Sequence, residues 1–317
     1  MRHAGIVQSH GSREGLRGKI LNRMIVFYNS MWGGPLEYPA AEIPAPYVLT
    51  TDLNALAEAV AVVFHLPTLP ANTIPNEIAK RPGQLWVAWC MECEVHYPQM
   101  NDPALMSWFD LTMTYRFDSD VPAQYLTPDL DRTLQTTPGH KVNGNLLNAF
   151  VSSPHDRSGR TEYLRQLMSC MDVHSYGKLF RNRQLDRDLW RDTKLETMRT
   201  YKFTVAFENA IAKDYVTEKF YDPLVAGSVP IYLGAPNIED FAPGDHCFIN
   251  AAKWRPEALA EYLIELAGNE PEYARLLDWK TKPFRECFMQ RLEIAKTHPF
   301  VRLCAKVEER LGALAKG

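Results

Sequence analysis

The chain has 317 residues, 46% of them hydrophobic and 23% charged, a globular composition long enough for two domains of ordinary size. A net charge of −3 gives no global field toward nucleic acid or an anionic membrane surface. No apolar run reaches bilayer-spanning length; the longest, Ala55 to Leu66, is broken by Glu58 and His65.

A core of this size stands without disulfides. No secretory signal is visible, and the six cysteines are read as reduced thiols of a cytoplasmic protein. Cys90 and Cys93 have zinc-like spacing but lack a second pair. Residues 1–23, rich in Gly, Arg and Ser with Glu14 as the sole acid, read as an unstructured leader or upstream start rather than a transit peptide.

From Met24 onward, short apolar runs alternate with helical periodicity, the pattern of an α/β protein with parallel sheets. Strands are expected at Ile25–Tyr28, Ala59–Phe64, Leu85–Trp89 and Leu111–Arg116, with helices near Leu53–Ala59 and Pro103–Phe109. Residues 32–48 and 67–83 are proline-rich loops, too long to be simple connectors and suited to binding residues. The pattern then restarts: a strand at Ala149–Ser153, a helix at Gly159–Met171 and a short strand at Val173–Tyr176. A strand at Lys202–Glu208, a helix at Asp214–Ala226 and a strand at Val229–Leu233 follow. Helices at Pro256–Ala267 and Pro271–Trp279 each start near a proline, and a helical region from Phe284 to about Leu314 is interrupted at His298-Pro299. This layout reads as two βα domains with a cleft at the carboxyl ends of their strands.

One segment carries more chemistry than the rest. The apolar run from Phe203 ends in Glu208-Asn209, and Asp214 to Lys219 opens a helix. A helix N-terminus offers free N–H groups to phosphate; Lys219 can add charge, and Glu218 can accept hydrogen bonds from ribose hydroxyls. On spacing alone, the same residues equally fit an Asp-capped surface helix.

Phe207-Glu208-Asn209, Asp214-Tyr215-Val216-Thr217-Glu218-Lys219 and Gly227 to Gly234 closely resemble the donor-site signature of the α1,3/4-fucosyltransferases, glycosyltransferase family ten. Thr114 to Asp120, Ser152-Ser153 through Arg160, and Asp172 to Gly177 match further segments of that family in register, and the resemblance covers roughly residues 24–305. It implies a GT-B-like α/β fold of two Rossmann-type domains facing a cleft. Residues 24–148 would form the acceptor domain, 149–283 the GDP-fucose domain, and helices in 284–317 would pack back on the first domain.

The implied activity is inverting transfer of L-fucose from GDP-β-L-fucose to a glycan hydroxyl, O3 of N-acetylglucosamine in an N-acetyllactosamine-like acceptor. Arg160 and Lys219 would hold the diphosphate and Glu218 the ribose; Asn209 and Tyr215 would line the donor pocket, bordered by Tyr176 and Gly177. The resemblance makes Glu92 the general base. Glu94, two residues on, would share its face in an extended chain and stays as the alternative. Trp32, Glu94, His96 and Tyr97 are the acceptor-side candidates. No cofactor is implied, with Mn²⁺ or Mg²⁺ at most stimulatory. Asp118-Ser119-Asp120 imitates a metal-binding Asp-x-Asp, but follows Arg116 on the wrong side of the cleft. Two other readings stand beside this one: another GDP-sugar transferase of the same fold, and a non-catalytic GDP-sugar or glycan-binding protein.

Overall fold

A computed structural model of the chain describes residues 22–316 apart from 71–72, 75–77, 186 and 188. The expected leader therefore lies outside the described residues except for its last two, as does part of the 67–83 loop. The first half forms β1 (Arg23–Phe27), β2 (Tyr47–Thr50), β3 (Ala61–His65), β4 (Leu85–Cys90), α1 (Pro103–Met106), β5 (Leu111–Thr114) and β6 (Val121–Pro122). Its six strands are all parallel, in the order β2-β1-β3-β4-β5-β6. The central β3 and β4 are buried along their whole length, which is why they read as continuous apolar runs rather than alternating ones.

The second half comprises α2 (Leu130–Leu134), β7 (Leu147–Ala149), α3 (Arg160–Cys170), β8 (Val173–Ser175), α4 (Arg191–Arg199), β9 (Phe203–Phe207), α5 (Glu218–Ala226), β10 (Val229–Leu233) and β11 (Ile249–Asn250). α6 (Pro256–Gly268), α7 (Glu270–Arg275), α8 (Glu286–Ala295) and α9 (Pro299–Leu314) follow. Its five strands are again all parallel, in the order β11-β10-β9-β7-β8.

Each sheet reverses its winding direction once, between β1 and β3 in the first and between β7 and β9 in the second. Crevices open at the carboxyl ends of such strand pairs. Asn29 beyond β1, His65 ending β3, Phe150 to Ser153 beyond β7 and Glu208 beyond β9 therefore stand at the two crevices.

The elements that differ from expectation share physical causes. β2, β6 and β11 are strands of two to four residues, too short to show a period, and β2 sits among Pro39, Pro44 and Pro46. α4 is almost wholly polar, burying only Thr193 and Met198. Leu53–Ala57 winds as 3₁₀ turns, started by Asp52, whose side chain accepts from the Asn54 N–H at 3.0 Å. The strand expected at Ala149–Ser153 is Leu147–Ala149, so Phe150 to Ser153 are released into the crevice. α5 begins at Glu218 rather than Asp214, because Asp214 has φ 66° and Thr217 is the N-cap.

The chain crosses between the halves more than once. α2 packs with α5 in the core of the second half, through Leu130, Leu134, Phe220 and Leu224. α8 joins the same core through Phe288 and Leu292. α9 returns to the first sheet, where Phe300, Leu303, Cys304 and Val307 pack with Phe27, Val63 and Trp89. The Phe300 ring lies 4.8 Å from that of Phe27 and 5.6 Å from that of Trp89. Leu303 is fully buried, so Leu303→Ala is expected to cost about 3 kcal/mol in urea unfolding; a loss under about 0.5 kcal/mol would mean that α9 does not anchor this sheet.

Candidate active site

β9 is five buried residues, and at its end the carboxylate of Glu208 is itself fully buried. It accepts from the Thr217 N–H at 2.7 Å and from the Thr217 hydroxyl at 3.0 and 2.8 Å. Thr217 in turn caps α5, accepting from the Lys219 N–H. Burial raises the Glu208 pKa above the usual carboxylate range, against the pull of Lys219 and the Thr217 hydrogen bonds. The Lys219 ammonium lies 3.5 Å from Glu208, 3.3 Å from Glu218 and 3.0 Å from the Thr217 hydroxyl. Burial works against its charge, but the two carboxylates outweigh burial and raise its pKa.

Arg160 opens α3 and is 2% exposed. Its guanidinium donates to the carbonyls of Ser153 at 3.0 Å, His155 at 3.1 Å and Phe207 at 3.3 Å, which fix its direction. The buried Nε has no hydrogen-bond partner among the described residues. Arg160, Lys219 and Glu218 line one cavity of about 260 Å³, together with Ser152, Ser153 and Lys194. Lys194, on the polar α4, gave no signal in the sequence; its ammonium pairs at 2.9 Å with Asp222, which is 1% exposed. Burial opposes the Glu218 charge, and Lys219 and Lys194 overcome it to lower that pKa.

A second cavity of about 620 Å³ shares Phe150, Ser152 and Lys194 with the first. Tyr176 lines it, stacked on Phe150 with ring centroids 5.1 Å apart, its hydroxyl 2.8 Å from that of Tyr201. Lys178, Arg181 and Arg183 add positive charge there. Gly177 lets two main chains meet: a Cβ at this position would lie 2.2 Å from the Val151 carbonyl oxygen. The paired cavities offer cations, one carboxylate and an aromatic face, a surface suited to a phosphorylated nucleoside.

Asn209 and Tyr215, expected in the donor pocket, line neither cavity. The Asn209 carbonyl accepts from the Arg157 N–H at 2.7 Å and lies 3.2 Å from His96 Nε2, so His96 bridges the two halves. Tyr215 is 2% exposed and wedged between rings of the first half, 5.0 Å from Tyr115 and 6.3 Å from Tyr125. The physical reason is the left-handed turn at Asp214, which directs the following side chain across the interface.

Tyr215 reaches Glu92, donating to its Oε2 at 3.1 Å. The other Glu92 oxygen has no hydrogen-bond partner among the described residues. Glu94 is engaged differently: the Tyr115 hydroxyl donates to it, and Arg116 lies 3.8 Å away. Asp118 takes two hydrogen bonds from Arg116, at 2.9 and 2.7 Å, and Asp120 accepts from the Thr112 N–H at 2.9 Å. Among the described residues no group of His, Cys, Asp or Glu is placed to hold a metal ion.

At the first sheet's crevice, Trp32 is 56% exposed with φ 52°, 5.7 Å from the His65 ring and 6.1 Å from Tyr97. His65, ending β3, lies 2.8 Å through Nδ1 from the Thr68 hydroxyl.

Two all-parallel, doubly wound sheets with crevices at their strand ends are the GT-B arrangement found among glycosyltransferases. Comparison with known proteins agrees. The model of the glycosyltransferase family 10 (fucosyltransferase) C-terminal region matches residues 141–313, and that of the fucosyltransferase N-terminal region matches residues 22–126. The chain belongs to glycosyltransferase family 10, the fucosyltransferases. It is 35% identical over 239 residues to a putative fucosyltransferase-like protein of Arabidopsis thaliana, covering 74% of this chain and 45% of that protein. It is 33% identical over 239 residues to the 4-galactosyl-N-acetylglucosaminide 3-alpha-L-fucosyltransferase 9 of Homo sapiens, covering 73% of this chain and 63% of that protein. The chain thus spans less than two thirds of the length of these curated relatives. A crystal structure of an α1,3-fucosyltransferase superposes with a TM-score of 0.62 at 16% identity over 90% of both chains. A structure of an α1,3-fucosyltransferase with GDP-fucose gives 0.56 at 15% identity over 94% of both. At this identity, these two superpositions establish the shared fold.

His65 supplies a test of the crevice. Burial lowers its pKa from 6.5 to about 4. Between those values the unfolded chain holds a proton that the folded protein does not, so stability present above pH 6.5 is lost as pH falls toward 4, by at most about 3 kcal/mol. Urea unfolding across pH 7 to 4 should show this loss, and His65→Gln should flatten that part of the profile.

Proposed function

We propose that this chain transfers L-fucose from GDP-β-L-fucose to a hydroxyl of a glycan acceptor, inverting the anomeric carbon. The observation that carries the reading is the convergence of Arg160, Lys194, Lys219 and Glu218 on one cavity at the crevice of the second sheet. Membership of the fucosyltransferase family supports fucose as the sugar. In this reading, the second half binds donor, while the first half supplies the base and the acceptor surface.

The diphosphate sits against Arg160 and Lys219, with Lys194 as a third cation, and Glu218 accepts from the ribose hydroxyls. The nucleoside extends into the wider cavity along Phe150 and Tyr176. Glu92 removes the acceptor hydroxyl proton as the oxygen attacks the fucose anomeric carbon on the face opposite GDP. The bond to the diphosphate oxygen breaks, and fixed positive charge stabilises the departing GDP, so no general acid is needed. With three cations facing this cavity, a divalent ion such as Mn²⁺ or Mg²⁺ at most assists.

Glu92 suits the base better than Glu94 for a local reason. Glu94 is held by a phenol and a guanidinium together. Glu92 has one neutral donor and a free oxygen to accept a proton. Trp32 and Tyr97 at the first crevice offer faces for sugar rings, and the acceptor hydroxyl is O3 of N-acetylglucosamine in an N-acetyllactosamine-like glycan.

The direct test is GDP release from GDP-fucose with N-acetyllactosamine. No release with this or any other β-linked galactosyl or N-acetylglucosaminyl acceptor, alongside tight binding of a different nucleotide sugar, would sink the reading. Glu92→Ala should abolish transfer, a loss of about a hundredfold or more, with GDP binding retained in calorimetry. Lys219→Ala should weaken GDP binding by about tenfold or more. If Glu92→Ala transfers normally and Glu94→Ala does not, the base is Glu94.

A further inference from the structure

β8 is an outer strand of the second sheet, and the His174 side chain on it touches three polar groups. Its Nδ1 lies 2.6 Å from the Tyr201 hydroxyl, with the two rings edge to face and 5.5 Å apart. Its Nε2 lies 2.8 Å from the Arg183 guanidinium and 3.0 Å from the Asp172 carboxylate. The Tyr201 hydroxyl in turn lies 2.8 Å from that of Tyr176. His174 and Tyr201 line neither of the two cavities, whereas Tyr176 and Arg183 both line the wider one. One imidazole outside the cavity therefore connects two groups in its wall.

The chemistry of these groups sets the direction of the bonds. A guanidinium only donates, so Nε2 accepts from Arg183 and the ring proton sits on Nδ1. Nδ1–H then donates to the Tyr201 oxygen, and the Tyr201 hydroxyl donates to that of Tyr176. Burial raises the Tyr201 pKa, so that hydroxyl keeps its proton. The exposed Asp172 carboxylate accepts from Nε2 only in the other tautomer, in which the bond to Arg183 is lost. The main chain beside Arg183 is tied to β8. The Asn182 side chain accepts from the Ser175 N–H at 2.8 Å and donates to the Val173 carbonyl at 2.9 Å, and the Arg183 N–H donates to the Ser175 carbonyl at 3.1 Å. From that fixed base the guanidinium is directed by the Asn182 carbonyl at 3.0 Å and by His174.

We propose that His174 is a positioning residue for donor binding: it holds Arg183 and, through Tyr201, Tyr176 in the wall of the wider cavity, and so raises affinity for the nucleoside without touching it. The inference rests on the reading of that cavity as the nucleoside site. Tyr176 is stacked on Phe150 with the rings 13° from parallel, and its hydroxyl bond to Tyr201 holds that orientation. A long arginine side chain and a phenol that were free to turn would be ordered only when the donor binds, at a cost in affinity.

His174→Ala removes the imidazole and leaves the cavity wall intact in composition. With GDP-fucose and N-acetyllactosamine, KM for GDP-fucose should rise about tenfold with kcat unchanged, and Kd for GDP in calorimetry should rise by the same factor. His174→Asn, whose amide can still bond the Tyr201 hydroxyl, should lose less. A role in stability alone would lower Tm and leave KM and Kd at their native values, and that result overturns the proposal. In the double variant Arg183→Ala with Tyr176→Phe, adding His174→Ala should raise Kd no further. A further tenfold rise there means that His174 acts by another route, and it overturns the proposal too. Tyr176→Ala tests the cavity separately. Native Kd for GDP in Tyr176→Ala removes the nucleoside reading and the proposal with it, whereas a weakened Kd there beside native Kd in His174→Ala removes only the positioning role.

Discussion

The candidate active site depends on one buried carboxylate. Glu208 leaves the end of β9 with no access to water and satisfies its oxygens on Thr217 and Lys219. Desolvating a carboxylate is expensive unless its partners are close and well directed. The cost of burying it is met only if α5 starts where it does, so the same bonds that neutralise Glu208 set the first turn of that helix. Lys219 and Glu218 face the cavity as a consequence.

That constraint reaches further through the short segment ahead of α5. The Asp214 turn sends Tyr215 away from the cavities of the second sheet and into the other half of the molecule, where it meets Tyr115 and Glu92. His96 and the Asn209 carbonyl make a second crossing, and α9 returning to the first sheet makes a third. The two halves are thus joined on the side where chemistry is proposed as well as by the C-terminal helix. A site split between two sheets needs such joints, since groups carried on different sheets keep a common geometry only while the sheets stay in register.

The sequence was most legible where burial is continuous. β3, β4, β9 and β10 are apolar throughout because both faces of each sheet are covered. It was least legible at sheet edges and on polar helices. β6 and β11 are two residues each, and α4 carries no apolar stripe, so Lys194 was invisible although it lines both cavities. Arg160, Tyr176, Glu218 and Lys219, which the motif resemblance singled out, line the two cavities of the second sheet's crevice, and Asn209 and Tyr215 do not.

By itself the sequence determined the class of fold, the alternation of strand and helix, and the residue types able to meet a phosphorylated sugar donor. These follow from local pattern: apolar runs, caps, and charged residues at strand ends and helix starts. Only the tertiary structure decided what each polar group faces. Glu208 and Lys219 are paired because a strand end and a helix start meet in space; Glu92 and Tyr215 touch although 123 positions separate them. Directions of this kind depend on backbone turns such as that at Asp214 and on packing between sheets, and neither is encoded in any short window of the chain.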